Sequence, residues 1–282
     1  LNCVHRRMIN RGGLFVRTVI PLAKCIFLSV FSSRALGRRT AFFVMALFAL
    51  FHSAMLFAQR TLVLATDVWP PYRIAAEGGG LKGIDIDIIR AIEKKSGIAI
   101  VIVQHPWPRA LEMLRSGEVD LMCGLARSAE RELYIHYLSP SYHRVQPVFY
   151  ARRDSGMKVS RYDDLAGKRI GQSSSTVYFE PFNSDISLVK ITLPSEPQIL
   201  QMLSLRRIDL AVGTEPNISW DIKRLGYSGA FIRVAYIPPV RTNLYFGMSK
   251  KSDAMTAIPA IERALRELVE DGTIERIEEE YR

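Results

Sequence analysis

LEMLRSGEVDLMCGL, at 111–125, lines up without gaps against LQMLSLRRIDLAVGT, at 200–214. Leu111, Met113, Leu114, Asp120, Leu121 and Gly124 match Leu200, Met202, Leu203, Asp209, Leu210 and Gly213. Each copy reads as a helix end, a turn and a buried strand. A helix–turn–strand unit shares some pattern with any other. Six identities in fifteen positions nevertheless favour two similar α/β halves over coincidence. Ligands of open α/β sheets gather beyond the carboxyl ends of the strands. Two halves facing each other would therefore set the segments after Gly124 and Gly213 on opposite walls of one cleft.

The flanking sequence completes each half. TLVLATD (61–67) reads as a buried strand ended by the turn WPPY (69–72). GIDIDIIRAIEKKSG (83–97) carries Ile84, Ile88, Ala91 and Ile92 at helical spacing, and Gly97 fits a helix stop. AIVIV (99–103) is a strand, PRALEMLRSG (108–117) a helix with Pro108 early and Gly117 past its end, and VDLMCG (119–124) a strand. This βαβαβ order predicts an α/β lobe with a mainly parallel sheet flanked by helices. In the second half KRIGQSS (168–174) reads as strand then turn, 188–193 and 207–214 as strands, and 197–205 as a helix. From Asn243 a strand and two helices follow, with Ala254, Ile258, Ile261, Leu265 and Leu268 on one apolar stripe.

The chain has 282 residues, 38 Lys+Arg against 28 Asp+Glu, and 48% hydrophobic side chains. Length allows one or two domains with a substantial core. Composition excludes collagen, coiled coil and a disordered tail. The net charge of +10 is local, because residues 1–58 hold eight basic residues and no acid, leaving 30 basic and 28 acidic residues behind them. A nucleic-acid partner is therefore not expected.

That front segment reads as targeting sequence. Arg38-Arg39 precede an apolar run at 41–58, and Ala58 offers a cleavage site before Gln59. A retained anchor is the rival, since 18 apolar residues approach a minimum span. Secretion is favoured by the basic flank and small residue, although Leu56 departs from the small-residue preference. Residues 1–58 are accordingly set apart from the fold, with the signal peptide at about 38–58.

Cys123 is the only cysteine after 58, so no internal disulfide is expected there, and its apolar setting reads as a buried small side chain. The sequence holds no CxxC, HExxH or Gly-rich phosphate loop. His105, His136 and His143 lack ligand spacing, so neither metal nor cofactor is expected.

ATDVWPPY, GIDIDIIRAI, WPRALEMLRSGEVDLM, the arginine-to-LSPSY stretch beginning at Arg131, DLAGKRIG and DGTIERIEEEY occur in that order between Thr61 and Tyr281. Together they resemble the bacterial extracellular solute-binding proteins of family 3, the polar amino-acid type. The resemblance implies a two-lobed "flytrap" fold with two hinge strands. Lobe 1 would comprise 59–149 and 246–282, with lobe 2 at 150–245. It also implies export to the periplasm, capture of a small polar carboxylate-bearing ligand, delivery to an ABC-transporter permease, and a monomeric state. A ligand touching both lobes stabilises the closed form by differential affinity.

The same resemblance assigns the cleft. Trp69 and Trp107 stand where the family has ligand-flanking aromatics; core packing is the bland reading of either, but Trp69, beside Pro70-Pro71 in a turn, favours exposure to the cleft. Asp67 matches an acid that meets a ligand amine, and equally suits a turn cap. Arg131 matches an arginine that binds an α-carboxylate, a geometry its guanidinium fork suits. Ser174, Ser175 and Thr176 would form an anion-holding turn before a lobe-2 helix, or simply cap it. Gly124 lies at the cleft end of its strand.

Two positions depart from the family pattern. The hydroxyl that assists the arginine falls on Ala126. The acid that neutralises an α-ammonium falls on Thr214, with Glu215 beside it. Strand alternation turns Glu215 outward, which predicts a non-standard ligand preference, unless Gly213 bends the chain and swings it in. Arg109 adds a positive group near Trp107 but suits a solvated helix face. The alternative activity is that of periplasmic dehydratases of the cyclohexadienyl type, relatives that use a cleft carboxyl as general acid. Glu180 and Glu215 are its candidates, without the partner expected of a tuned acid–base pair. Transglycosylases and kinase sensors of this fold carry a further domain, which the sequence to Arg282 is not expected to supply.

Overall fold

The computed structural model describes residues 61–281, so the export segment and its cleavage at Ala58 lie outside the described residues. The chain opens with β1 (Leu62–Thr66), a small hairpin of β2 (Ile74–Ala75) and β3 (Leu81–Lys82), and α1 (Ile84–Ser96). Then come β4 (Ile100–Gln104), α2 (Trp107–Ser116), β5 (Leu121–Leu125), the short α3 (Ala129–Glu132) and β6 (Ile135–Tyr137). A long β7 (His143–Arg152) leads to β8 (Arg169–Ser173), β9 (Val189–Leu193), α4 (Glu196–Ser204) and β10 (Leu210–Glu215). The chain ends through α5 (Asn217–Arg224), β11 (Phe231–Arg233), β12 (Thr242–Ser249), α6 (Ile258–Glu270) and α7 (Thr273–Glu279).

The strands form two lobes of matching design. In the first, β4, β1 and β5 run parallel, and β12 lies antiparallel beside β5 with β6 on it. In the second, β9, β8 and β10 run parallel, and β7 lies antiparallel beside β10 with β11 on it. The lobes are joined where β7 and β12 pair with each other, Val145 opposite Thr242 and His143 opposite Leu244. Beyond that point each strand enters its own sheet. This is the two-lobed fold with two hinge strands that the family resemblance implies.

Local chemistry sets the elements. Gly97 and Gly117 end α1 and α2 in the left-handed conformation, with φ of 73° and 82°, and their N–H groups close the last turns. Ile84, Ile88, Ile89 and Ile92 bury one face of α1 beside Ile261, Leu265 and Leu268 of α6. Ala254, predicted on the α6 stripe, precedes that helix but joins the same core.

The two aspartates of the internal echo perform one task twice. Asp120 Oδ2 accepts the Val63 N–H at 2.9 Å, and Asp209 Oδ2 accepts the Arg169 N–H at 2.9 Å. Each backbone N–H returns the contact, Asp120 to Val63 O and Asp209 to Arg169 O. Each carboxylate thereby ties the start of its own strand to the neighbouring parallel one.

Candidate functional site

A cavity of about 250 Å³ lies between the lobes at the carboxyl ends of β1, β5, β8 and β10. Its lobe-1 wall includes Asp67, Trp69, Trp107, Gly124, Ala126 and Arg131. Thr176 and Thr214 line it from lobe 2.

Arg131 is 5% exposed, although it sits on a helix of only four residues. Ser128 caps that helix by accepting the Arg131 N–H at 3.3 Å. The guanidinium donates from Nη1 to Ala126 O at 2.9 Å and from Nη2 to Ser175 O, across the lobes, at 2.6 Å. Trp107 lies 5.9 Å from it and donates its indole N–H to the same Ser175 carbonyl at 3.1 Å. Burial lowers the Arg131 pKa, and among the described residues the side chain makes no ion pair.

Asp67 acts as a local cap at the cavity wall. Its Oδ2 accepts the N–H of Trp107 at the head of α2 and its Oδ1 accepts the Val68 N–H, while the residue lines the cavity. Trp69 stacks on Tyr72 with ring centres 4.5 Å apart. Arg109 is exposed and pairs with Glu118, apart from the lining residues.

The floor contains a cation that motif reading does not find. Arg73 lines the cavity, lies over the Trp69 ring and is ion-paired with the buried Asp85 of α1. Tyr142 donates to Asp85 at 2.9 Å and accepts the Gly124 N–H at 2.9 Å. Gly124 adopts φ +72°, and a Cβ there would stand 2.8 Å from Arg73 Nη1. The positive φ favours glycine, and any side chain there would also have to displace the guanidinium. Cys123 is buried against Thr66 and Arg73, and burial, reinforced by Asp85, pushes its thiol up to about 12, so it is inert as a nucleophile at neutral pH.

Lobe 2 departs from expectation at three places. No helix follows Ser174–Thr176: residues 177–188 are irregular chain with turns at 180–184 and 186–187, where Pro181 lacks an N–H and Phe179 and Phe182 are drawn into the core. The Ser174 N–H is not available to an anion, because it donates to Leu193 O at 2.8 Å. Ser174, Ser175 and Glu215 do not line the cavity, although Ser175 serves it through its carbonyl. Glu215 accepts hydrogen bonds from Tyr150 at 2.7 Å and from Ser219. Gly213 does not bend the chain: β10 continues through Glu215 in register with β7. The missing side chain at Gly213 instead makes room for Ile218 and Glu196. Glu180 is exposed and bonded to Ser184.

The acids that enter the cavity from lobe 2 are Glu196 and Asp221, opposite Asp67 of lobe 1. Asp221 is held by Arg224 at 2.9 and 3.1 Å, and burial raises its pKa despite that partner. Burial, then the charges of Asp221 and Glu215, push Glu196 up to about 8. Its sequence context, an acid in the first turn of a helix, reads as an ordinary response to the helix dipole.

Comparison with known proteins matches this architecture. The family model for bacterial extracellular solute-binding proteins, family 3, covers residues 62–282. A probable amino-acid ABC transporter-binding protein of Haemophilus influenzae is 20% identical over 79% of this chain and 84% of its own. The ABC transporter arginine-binding protein 1 of Escherichia coli is 22% identical over 76% and 86%. Among solved structures, an ancestral arginine-binding protein bound to arginine superposes with a TM-score of 0.68 at 22% identity, covering 79% of this chain and 99% of that one. A histidine kinase sensor domain similar to periplasmic binding proteins gives 0.69 at 22% identity, covering 79% and 96%. The chain belongs to bacterial extracellular solute-binding protein family 3.

Proposed function

From that membership and the geometry of the cleft, we propose that the protein captures a small carboxylate-bearing solute between its lobes in the periplasm and presents it to an ABC-transporter permease. Arg131 carries the reading: a buried guanidinium lines the cleft and its two terminal nitrogens face backbone carbonyls rather than an acid. A carboxylate matches that fork and forms charge-assisted bonds that a carbonyl cannot. The binding of amino acids by relatives such as the arginine-binding protein of Escherichia coli supports the same ligand class. Relatives that serve ABC transporters, and the histidine-binding periplasmic protein of Escherichia coli, support the permease and the periplasmic address. Saturable, stoichiometric calorimetric binding of a small carboxylate, with the solute recovered unchanged, is the expected result.

A dehydratase reading has one observation in its favour. Glu196 is a cleft carboxyl that holds its proton near neutral pH, as a general acid must. Loss of a prephenate-like substrate over time would separate this reading from binding.

A further inference from the structure

Glu196 opens α4 and is 9% exposed, and its Oε2 is buried with no hydrogen-bond partner. Its Oε1 lies against β10, where a Cβ on Gly213 would stand 3.0 Å from it. No basic side chain pairs with it among the described residues. The titratable groups that face it are Asp221 on α5, Glu215 at the end of β10 and Tyr178 from the irregular chain after β8. The Thr214 amide and the Trp69 side chain offset the burial only in part. Arg224, the cation on α5 that lines the cavity, is engaged with Asp221 through both Nε and Nη2. A buried carboxylate without a counter-ion, beside other acids, is strongly unfavourable, so the group takes up a proton.

Resting on the carboxylate-binding reading above, we propose that Glu196 stands in for the acid absent from Thr214, giving up its proton as the ligand's cationic nitrogen arrives beside it. Thr214 can accept a hydrogen bond but cannot neutralise a cation, and Glu215 is committed to Tyr150 and Ser219. Glu196 reaches the same end of β10 from α4. A protonated nitrogen would supply the partner that Oε2 lacks. The exchange balances: the nitrogen enters already protonated, the Glu196 O–H bond breaks, and its proton leaves to the buffer. Glu196 and the nitrogen end as a neutral pair, while Arg131 takes the ligand carboxylate.

The exchange makes affinity depend on pH with a definite sign. While Glu196 is protonated in the free protein, each ligand bound releases close to one proton. Affinity then rises with pH by up to about tenfold per unit, and levels off above about pH 8.

The test screens the common L-amino acids, their N-acetyl derivatives, and carboxylates without nitrogen such as succinate. Thermal shifts are read on the wild type and on Glu196→Gln. The best binder then goes to calorimetry near neutral pH in phosphate and in Tris, which differ in ionisation heat. An unmodified amino acid is expected to bind where its N-acetyl form does not, with buffer-dependent enthalpy equivalent to about one released proton. Glu196→Gln should lose the affinity and the buffer dependence. Wild-type binding by the N-acetyl form, a buffer-independent enthalpy, or unchanged binding by Glu196→Gln would each overturn the proposal. The buffer comparison decides on the wild type alone if the variant misfolds. If nitrogen-free carboxylates bind through Arg131 and amino acids do not, the exchange fails and the carboxylate reading stands. If no probe of either class binds, both fall.

Discussion

The Arg131 guanidinium reaches from lobe 1 to the Ser175 carbonyl of lobe 2, 2.6 Å away, while holding Ala126 O at 2.9 Å. It therefore ties the lobes together, and in the proposed reading it is the ligand group as well. A carboxylate in the cleft would exchange carbonyl contacts for charge-assisted ones and keep the lobes closed. Arg131→Ala should weaken carboxylate binding by about 2–5 kcal/mol, at least roughly 30-fold in Kd, with the fold intact by circular dichroism. Calorimetry measures the loss, and wild-type affinity in the variant would place the carboxylate elsewhere.

The buried ion pair of Arg73 and Asp85 carries a different expectation, because it holds up the cleft floor. Asp85→Ala leaves the Arg73 guanidinium buried without its counter-ion and takes a partner from Tyr142. Removing one member of such a pair costs about 3–5 kcal/mol. Urea denaturation should show a lower midpoint with an unchanged slope.

Glu196 makes stability fall with rising pH. Its native pKa is raised from an ordinary value of 4.5 to about 8, so within that window the native state holds more protons than the unfolded state. The advantage is fully present below about 4.5 and is lost as pH rises through about 8, by up to about 1.4 kcal/mol per unit. Glu196→Gln stays neutral throughout and should flatten this part of the profile. Melting temperatures across that range check it. A parallel profile in the variant would assign the slope to other groups.

Gly124→Ala tests the close approach at the cleft floor. The substitution meets both the positive φ and the Arg73 guanidinium 2.8 Å from the new Cβ. A cost of about 1–3 kcal/mol is expected from strain and crowding, together with weaker ligand binding as Arg73 shifts. Chemical denaturation and calorimetry read the two effects separately.

The sequence by itself determined that this protein has two α/β halves. The echo of 111–125 in 200–214 marks the same helix, turn and strand in each lobe, down to Asp120 and Asp209 bonding the neighbouring strand alike. Gly97 and Gly117 marked real helix ends. Such features are legible because periodicity, capping and alternation act over a few residues of chain. Arg131 was legible through its place in a longer pattern, but its burial and its reach to Ser175 were not.

Only the tertiary structure decided which charges belong to the cleft. Glu196 looks like any first-turn acid until Gly213, on another element, leaves the space that admits it. Arg73, just past the WPPY turn, carries no sequence signal, and only Asp85 of α1 shows where it belongs. Ser174–Thr176 read as a helix entrance, yet Phe179 and Phe182 turn into the core and the chain forms turns instead. Burial and counter-ion supply set a carboxyl's charge, and both depend on segments far apart in sequence meeting in space.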